Sequence, residues 1–131
     1  MKLPTYDSLL LDIDQHVATI TLNRPDKRNA FNDDVIQELT DVFQFCAEQD
    51  EVRAVVLTAN GKAFCAGADL NWMRAMADYT RDENLADAGK LAQMLAIIYH
   101  CPKPTVAAIQ GDVYAGGMGL VAACDIAISV K

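Results

Sequence analysis

The chain has 131 residues, of which 52% are hydrophobic, and it carries a formal net charge of −7. This length and composition suit one globular domain with an ordinary core, and they exclude a disordered chain. The acidic balance, with a pI near 4.6, argues against nucleic acid as a partner, because binding to phosphate backbones depends on clustered lysine and arginine.

We expect neither a targeting segment nor a membrane partner. Residues 1–7 lack a charged segment followed by an apolar stretch, and no later run approaches the length that spans a bilayer. The cysteines are widely spaced without a C-x-x-C pair, which favours free thiols in a reducing cytosol over a zinc site or disulfides. They are Cys46, Cys65, Cys101 and Cys124. The sequence therefore predicts a cytoplasmic protein with no bound metal.

The first third of the chain predicts a hairpin, a loop and a helix. Residues 9–13 and 17–22 are short apolar runs separated by a polar turn. Proline and asparagine residues then indicate a loop, and Asn32 is a suitable N-cap for a helix that ends near residue 49. Apolar residues at helical spacing predict its buried face, namely Val35, Leu39, Val42, Phe43 and Cys46.

The middle of the chain predicts one strand and two helices. Residues 54–58 form a continuous apolar run of strand length. A helix begins at Asp69, and a longer helix over residues 84–99 follows a polar stretch. Pro102 ends the longer helix, because proline lacks the N–H and biases its predecessor towards extended geometry. The predicted apolar face of the longer helix consists of Leu85, Ala88, Leu91, Leu95 and Ile98.

The last third predicts a strand over residues 105–109, a short helix over residues 117–123 and a strand from residue 124 onwards. The order of strands and helices predicts α/β layering within one domain. No closing element follows the last strand, so we expect the chain to be a fragment.

Two turns of small residues, 65–69 and 115–119, each follow a predicted strand. Gly67 can adopt a backbone conformation closed to other residues, and the first N–H groups of the helices that follow are free. The N–H groups of Ala68 and Gly116 could therefore converge on one oxygen and form an oxyanion hole for an acyl carbonyl. The alternative interpretation, that these glycines only allow tight helix packing, fits the same residues.

Three other chemistries find no support in the sequence. Gly111 and Gly116 have the spacing of a Walker A loop, but Gly117 and Met118 occupy its lysine and Ser/Thr positions. No G-x-G-x-x-G lies between a strand and a helix, which excludes a dinucleotide fingerprint. We interpret Cys65 as a packing residue, because neither histidine lies near it in sequence. Neither histidine is assigned a catalytic role.

Four blocks in order resemble the successive signatures of the crotonase, or enoyl-CoA hydratase/isomerase, superfamily. The blocks are NRP at 23–25 with NAFN at 29–32, GKAFCAGADL at 61–70, KPTVAAIQG at 103–111 and CDI at 124–126. The resemblance covers essentially the whole chain but only the N-terminal half of the family. It implies an α/β, crotonase-like (ClpP/crotonase) spiral of ββα units, with residues 1–131 as the N-terminal portion. It also implies trimers or hexamers, although the C-terminal helical trimerisation part is absent.

The resemblance further implies that the amides of Ala68 and Gly116 hold the thioester oxygen of an acyl-CoA while water adds across its α,β double bond. No cofactor is implied, because coenzyme A is part of the substrate. The resemblance implies phosphate contacts for Lys27, Arg28 and Lys62. The other residues that it assigns to substrate or CoA binding are Ala30, Ala66, Asp69, Leu70, Asn71 and Gly117.

Gly119 departs from the pattern of the family. Many hydratases of this family carry a glutamate at that position, and their second catalytic glutamate would lie beyond Lys131. Segments such as residues 69–73 look most like bacterial methylglutaconyl-CoA or carboxygeranoyl-CoA hydratase-like members, which implies hydration of a 3-methylglutaconyl-CoA-like substrate. A double-bond isomerase, an acyl-CoA hydrolase and a truncated, non-catalytic CoA-ester binding chain are the alternatives.

Overall fold

The computed structural model describes residues 2–130 and contains three successive units in which two strands precede helical structure. The first unit comprises β1 (Leu9–Asp14), β2 (Val17–Leu22) and α1 (Asp33–Glu48). The second comprises β3 (Ala54–Ala59), β4 (Ala63–Cys65), α2 (Leu70–Met76) and α3 (Arg81–Tyr99). The third comprises β5 (Thr105–Ile109), β6 (Asp112–Val113) and α4 (Gly117–Ala123), and β7 (Ile126–Ser129) follows it. The predicted α/β architecture of ββα units is confirmed.

The strands form two sheets. The larger sheet has the order β1-β2-β3-β5-β7, in which β1 and β2 are antiparallel and the other neighbours are parallel. The smaller sheet pairs β4 with β6 in parallel. Because the carboxyl ends of parallel strands meet at the same edge, the segments that leave β4 and β6 lie next to each other. The two small-residue turns are these segments.

Helix α1 packs on the core as its apolar spacing predicts. All five residues of the predicted face are buried, together with Ile36 and Thr40. The Asn32 side chain accepts a hydrogen bond from the Val35 N–H at 2.9 Å, which confirms the predicted N-cap. Local sequence therefore determines both the start and the orientation of this helix.

Helix α3 differs from the prediction at its start and in its buried face. It begins at Arg81, because Thr80 and Glu83 form a reciprocal capping box within a stretch interpreted as a polar connection. Leu85 is 59% exposed, whereas Met94 is buried with Ile98. The apolar face is thus used only in the second half of the helix, which packs against α1. No helix within residues 2–130 is long and apolar enough to cross a bilayer.

Strands β4 and β6 lie in connections between the predicted strands and the two turns, where the sequence predicts no strand. They contain three and two residues, and their partners lie almost fifty positions apart, as in the pair of Ala63 with Asp112. Strand β7 is one of the two edges of the larger sheet, and all four of its residues are exposed. The sheet therefore ends in an uncovered strand.

Candidate active site

The two small-residue turns lie in contact. Gly67 adopts a φ of +91°, which favours glycine over residues with a side chain. A Cβ on Gly67 would lie 3.3 Å from the backbone nitrogen of Gly116. The parallel pairing of β4 with β6 and this close approach together bring the predicted donor residues into one place.

The peptide N–H of Ala68 is held in position by its neighbours. Phe31 donates its N–H to the Gly67 carbonyl and accepts a hydrogen bond from the Asp69 N–H, both at 2.6 Å. Successive N–H groups of an extended segment point to opposite sides, so the Ala68 N–H points away from Phe31. Within the described residues, this N–H donates to no other protein atom.

The peptide N–H of Gly116 is the second free donor. Ala115 takes a left-handed φ of +46°, and Gly116 follows with a helical φ of −61° as the N-cap of α4. The next N–H groups are used within the turn, beginning with Gly117, which donates to the Tyr114 carbonyl at 2.9 Å. In the part of the chain that the structure describes, the Gly116 N–H has no acceptor.

A cleft of about 520 Å³ opens beside the first turn. Eight of the eleven site residues proposed from the sequence line it, and Asp26 and Arg74 line it in addition. The eight are Lys27, Arg28, Ala30, Ala66, Ala68, Asp69, Leu70 and Asn71. The cleft is therefore lined by several cations as well as by Ala68.

The other three proposed residues, Lys62, Gly116 and Gly117, do not line this cleft. Gly116 lies at the adjoining turn, and Lys62 is exposed in the connection before β4. Gly117 is buried, and a Cβ there would lie only 2.6 Å from the Cys65 carbonyl oxygen. Since the Gly117 N–H is already bonded, the residue contributes to close packing of the two turns instead of offering a free donor.

Asp69 connects the first turn to α2. It is 6% exposed, and its carboxylate accepts hydrogen bonds from the N–H groups of Asn71 at 2.8 Å and Trp72 at 3.2 Å. Arg24 forms an ion pair with it at 3.2 Å and also donates to the Ala30 carbonyl at 2.7 Å. Burial alone would raise the pKa of Asp69, but these donors outweigh burial and lower it below its ordinary value.

Asp69→Asn should destabilise the protein at pH 7 by about 1–3 kcal/mol, because a buried charged acceptor is lost. The lowered pKa of Asp69 means that ionisation stabilises the fold above the unfolded-state pKa of about 3.9. This stabilisation is lost as the pH falls through the folded-state pKa, so the variant should lose less stability on acidification. Thermal unfolding at pH 7 and at lower pH tests this, with the exposed Asp12→Asn as the matched control. Equal acid sensitivity of Asp69→Asn and wild type would contradict the prediction.

Gly119 faces an apolar side chain. A Cβ on Gly119 would lie 3.5 Å from a Leu95 methyl carbon, in ordinary van der Waals contact. This part of the site therefore offers packing surface and no carboxylate from position 119.

Cys65 and the two histidines contribute no reactive group to the turns. The Cys65 side chain is fully buried, and burial raises the pKa of its thiol although the Gly67 N–H partly offsets this effect. His16 lies in the β1–β2 turn, where its Nδ1 is 2.8 Å from the Glu51 carbonyl oxygen. His100 is the exposed C-cap of α3. The burial of Cys65 agrees with the packing role expected for it, and neither histidine lies in the two turns.

Comparison with known proteins gives consistent matches. Residues 12–131 match the family model described as enoyl-CoA hydratase/isomerase. The crystal structure of an enoyl-CoA hydratase from Shewanella pealeana shares 40% identity with a TM-score of 0.91, over 93% of this chain and 46% of that one. An enoyl-CoA hydratase from Mycobacterium smegmatis shares 41% identity with a TM-score of 0.87, over 93% and 47%. The mitochondrial Delta(3,5)-Delta(2,4)-dienoyl-CoA isomerase of Mus musculus is 38% identical, over 92% and 40%. The chain spans about half the length of the relatives it matches.

Proposed function

The chain belongs to the enoyl-CoA hydratase/isomerase family, and we propose that it forms the thioester-binding part of an enzyme that hydrates α,β-unsaturated acyl-CoA. The observation that carries the proposal is the pair of unbonded N–H groups, on Ala68 and Gly116, at two turns in contact. Unbonded donors in such a place suit an acceptor that arrives with a ligand.

The proposed mechanism uses these N–H groups to polarise the thioester. Both donate to the carbonyl oxygen, whose negative charge grows as water attacks the β-carbon, gives one proton to a base and leaves an enolate. The α-carbon then takes up a proton, so one molecule of water is added across the double bond. One such donor is worth about 3–4 kcal/mol of transition-state stabilisation, because it is fixed in position before the charge develops. No cofactor is needed beyond the coenzyme A within the substrate.

The acid and base of this reaction must come from groups other than position 119, because Gly119 has no carboxylate. We propose that a carboxylate outside these 131 residues positions the water, as the resemblance implies. The polarising half of the site would then be complete in this chain, while proton transfer would depend on the rest of the protein.

Addition of an enoyl-CoA to the enzyme tests the function. Hydration predicts loss of the absorbance of the conjugated double bond, together with a product that is heavier by one molecule of water. Isomerisation predicts a product of unchanged mass, and hydrolysis predicts release of the free CoA thiol. Binding of the thioester without any of these products would identify a non-catalytic CoA-ester binding chain and would contradict the proposal.

An isomerase is the second candidate, and two observations favour it. Gly119 lacks the carboxylate that many hydratases carry, and the mouse relative is named as a dienoyl-CoA isomerase. An isomerase would use the same pair of N–H groups with a differently placed base. The mass of the product separates the two candidates directly.

Further details of the proposal extend to the substrate and the assembly. We propose a branched, carboxylated acyl group of the 3-methylglutaconyl type, because residues 69–73 resemble hydratases of that kind. We also propose a cytoplasmic homo-oligomer, a trimer or a hexamer, in which residues 1–131 form the N-terminal portion of one crotonase-fold domain. Light scattering and turnover of the carboxylated substrate relative to its uncarboxylated analogue test these points.

A further inference from the structure

Arg74 is a cation of the cleft that was not among the site residues predicted from the sequence. It lies four residues after Leu70 on α2, so the two side chains share one face of the helix, and both line the cleft. The opposite side of α2 is directed elsewhere, because Trp72 and Ala75 line a smaller neighbouring cleft of about 330 Å³. The orientation of the helix thus directs Arg74 towards the space beside Ala68.

The charges around this cleft are unbalanced. Lys27, Arg28 and Arg74 contribute three cations, whereas the charge of Asp69 is compensated by Arg24. The Arg24–Asp69 pair is the one ion pair formed within residues 2–130, so Arg74 has no carboxylate partner there. Asp26 is then the uncompensated anion of the cleft. An excess of positive charge in a protein with a net charge of −7 favours an anionic ligand at this place.

Arg28 and Arg74 both belong to segments that are joined to the first turn, which contains the proposed Ala68 donor. The Arg28 carbonyl accepts a hydrogen bond from the Ala66 N–H at 3.0 Å, which ties its loop to the first turn. Arg74 belongs to the helix whose N-cap is Asp69, the residue directly after Ala68. Since Ala68, Arg28 and Arg74 line the same cleft, a ligand in that cleft whose carbonyl group reaches the Ala68 N–H has two guanidinium groups around it.

We propose that Arg74 is a phosphate-binding residue of this cleft, which acts with Lys27 and Arg28 to bind a phosphate group of the CoA moiety. This inference rests on the proposed acyl-CoA function. A guanidinium can bind two phosphate oxygens in parallel through its planar fork, which a lysine ammonium cannot do. Its position on a capped helix, beside the apolar Leu70 side chain, keeps this group near the cleft.

Binding of the saturated and therefore unreactive butyryl-CoA, measured by isothermal titration calorimetry, tests the inference. We expect Arg74→Gln to weaken binding about tenfold, as loss of a charged hydrogen bond predicts, and to reduce the salt dependence of binding. Arg74→Lys should recover part of the affinity. The matched control is Arg53→Gln, which removes the same charge from an exposed residue just before β3.

Two truncated ligands identify the phosphate group. If Arg74 binds the 3′-phosphate, Arg74→Gln should bind butyryl-CoA and its dephospho form with more similar affinities than wild type does. If Arg74 binds the diphosphate, Arg74→Gln should prefer butyryl-CoA over its dephospho form as strongly as wild type does. Only butyryl-pantetheine should then bind to both proteins with equal affinity. Equal affinity of wild type and Arg74→Gln for butyryl-CoA would overturn the inference alone. Failure of wild type to bind butyryl-CoA would overturn the proposed function as well.

Discussion

Gly116→Pro should lower kcat for the proposed hydration about a hundredfold to a thousandfold, because it deletes one of two oxyanion donors. The substitution suits the local backbone, since the φ of −61° at Gly116 is close to the value that proline imposes. It also breaks no hydrogen bond within the described chain, because the Gly116 N–H has no acceptor there. Steady-state kinetics with an enoyl-CoA substrate measures the effect.

Gly116→Ala is the matched control for this prediction. A Cβ at that position would lie 3.6 Å from Phe31 Cε2, which is an ordinary contact, and the N–H is kept. The alanine variant should therefore retain kcat within a few-fold. Thermal unfolding must accompany both assays, because the left-handed Ala115 precedes the new proline and the residue before proline is restricted. A proline variant with native stability and unchanged kcat would remove Gly116 from the proposed hole.

Gly117→Ala should destabilise the fold by about 2–4 kcal/mol, because the new methyl group has no space. A Cβ there would lie 2.6 Å from the carbonyl oxygen of Cys65 and 2.9 Å from its Cβ. The Cys65 carbonyl also accepts the Tyr114 N–H at 3.0 Å, so it cannot move away freely. The strain should separate the two turns and reduce turnover as well. Urea unfolding measures the change in stability.

Gly89→Ala is the same chemical change as Gly117→Ala, but it should raise the stability of the fold instead of lowering it. Gly89 lies in the exposed part of α3, and a Cβ there would meet no atom within 4 Å. Alanine should stabilise the helix by about 0.5–1 kcal/mol, because glycine loses more conformational freedom on folding. If the two alanine variants had equal stabilities in urea, the close approach of Gly117 to Cys65 would be unsupported.

The parts of the fold that sequence predicts well are those determined by neighbours in the chain. Helix α1 follows from helical spacing and from the Asn32 cap. The predicted start of α3 at residue 84 lies three residues after the observed start at Arg81, although Thr80 and Glu83 carry the local signal of a capping box. The predicted buried face of α3 begins at Leu85, but Leu85 is exposed and Met94 is buried. Tertiary packing, and not the helical spacing, decides which of these apolar residues are covered.

Strands β4 and β6 could not be predicted in this way. Each is too short for a periodic signal, and each exists through pairing with a segment almost fifty residues away. The same pairing brings together the turns that contain Ala68 and Gly116. Sequence therefore predicted the two turns from their small residues, while their contact depends on long-range structure.

The site residues proposed in the loop and in the first turn line the cleft, whereas Arg74 on α2 lines it without having been proposed. Arg74 was not identified, although its spacing of four residues from Leu70 places both on one helical face. Asp26 was also not identified, and the only signal for it is its position beside Lys27. Gly117 was assigned to binding, but its tight contact with Cys65 explains why a glycine is required there.

The donors of the proposed hole are peptide groups, and this affects how the site responds to mutation. Of all the single substitutions possible at Ala68 or Gly116, only proline deletes the N–H itself. Other changes act indirectly, through the size of the new side chain or through the path of the backbone. Side chains elsewhere in the cleft can therefore change, and with them the acyl group or the reaction, while the proposed pair of N–H donors is kept.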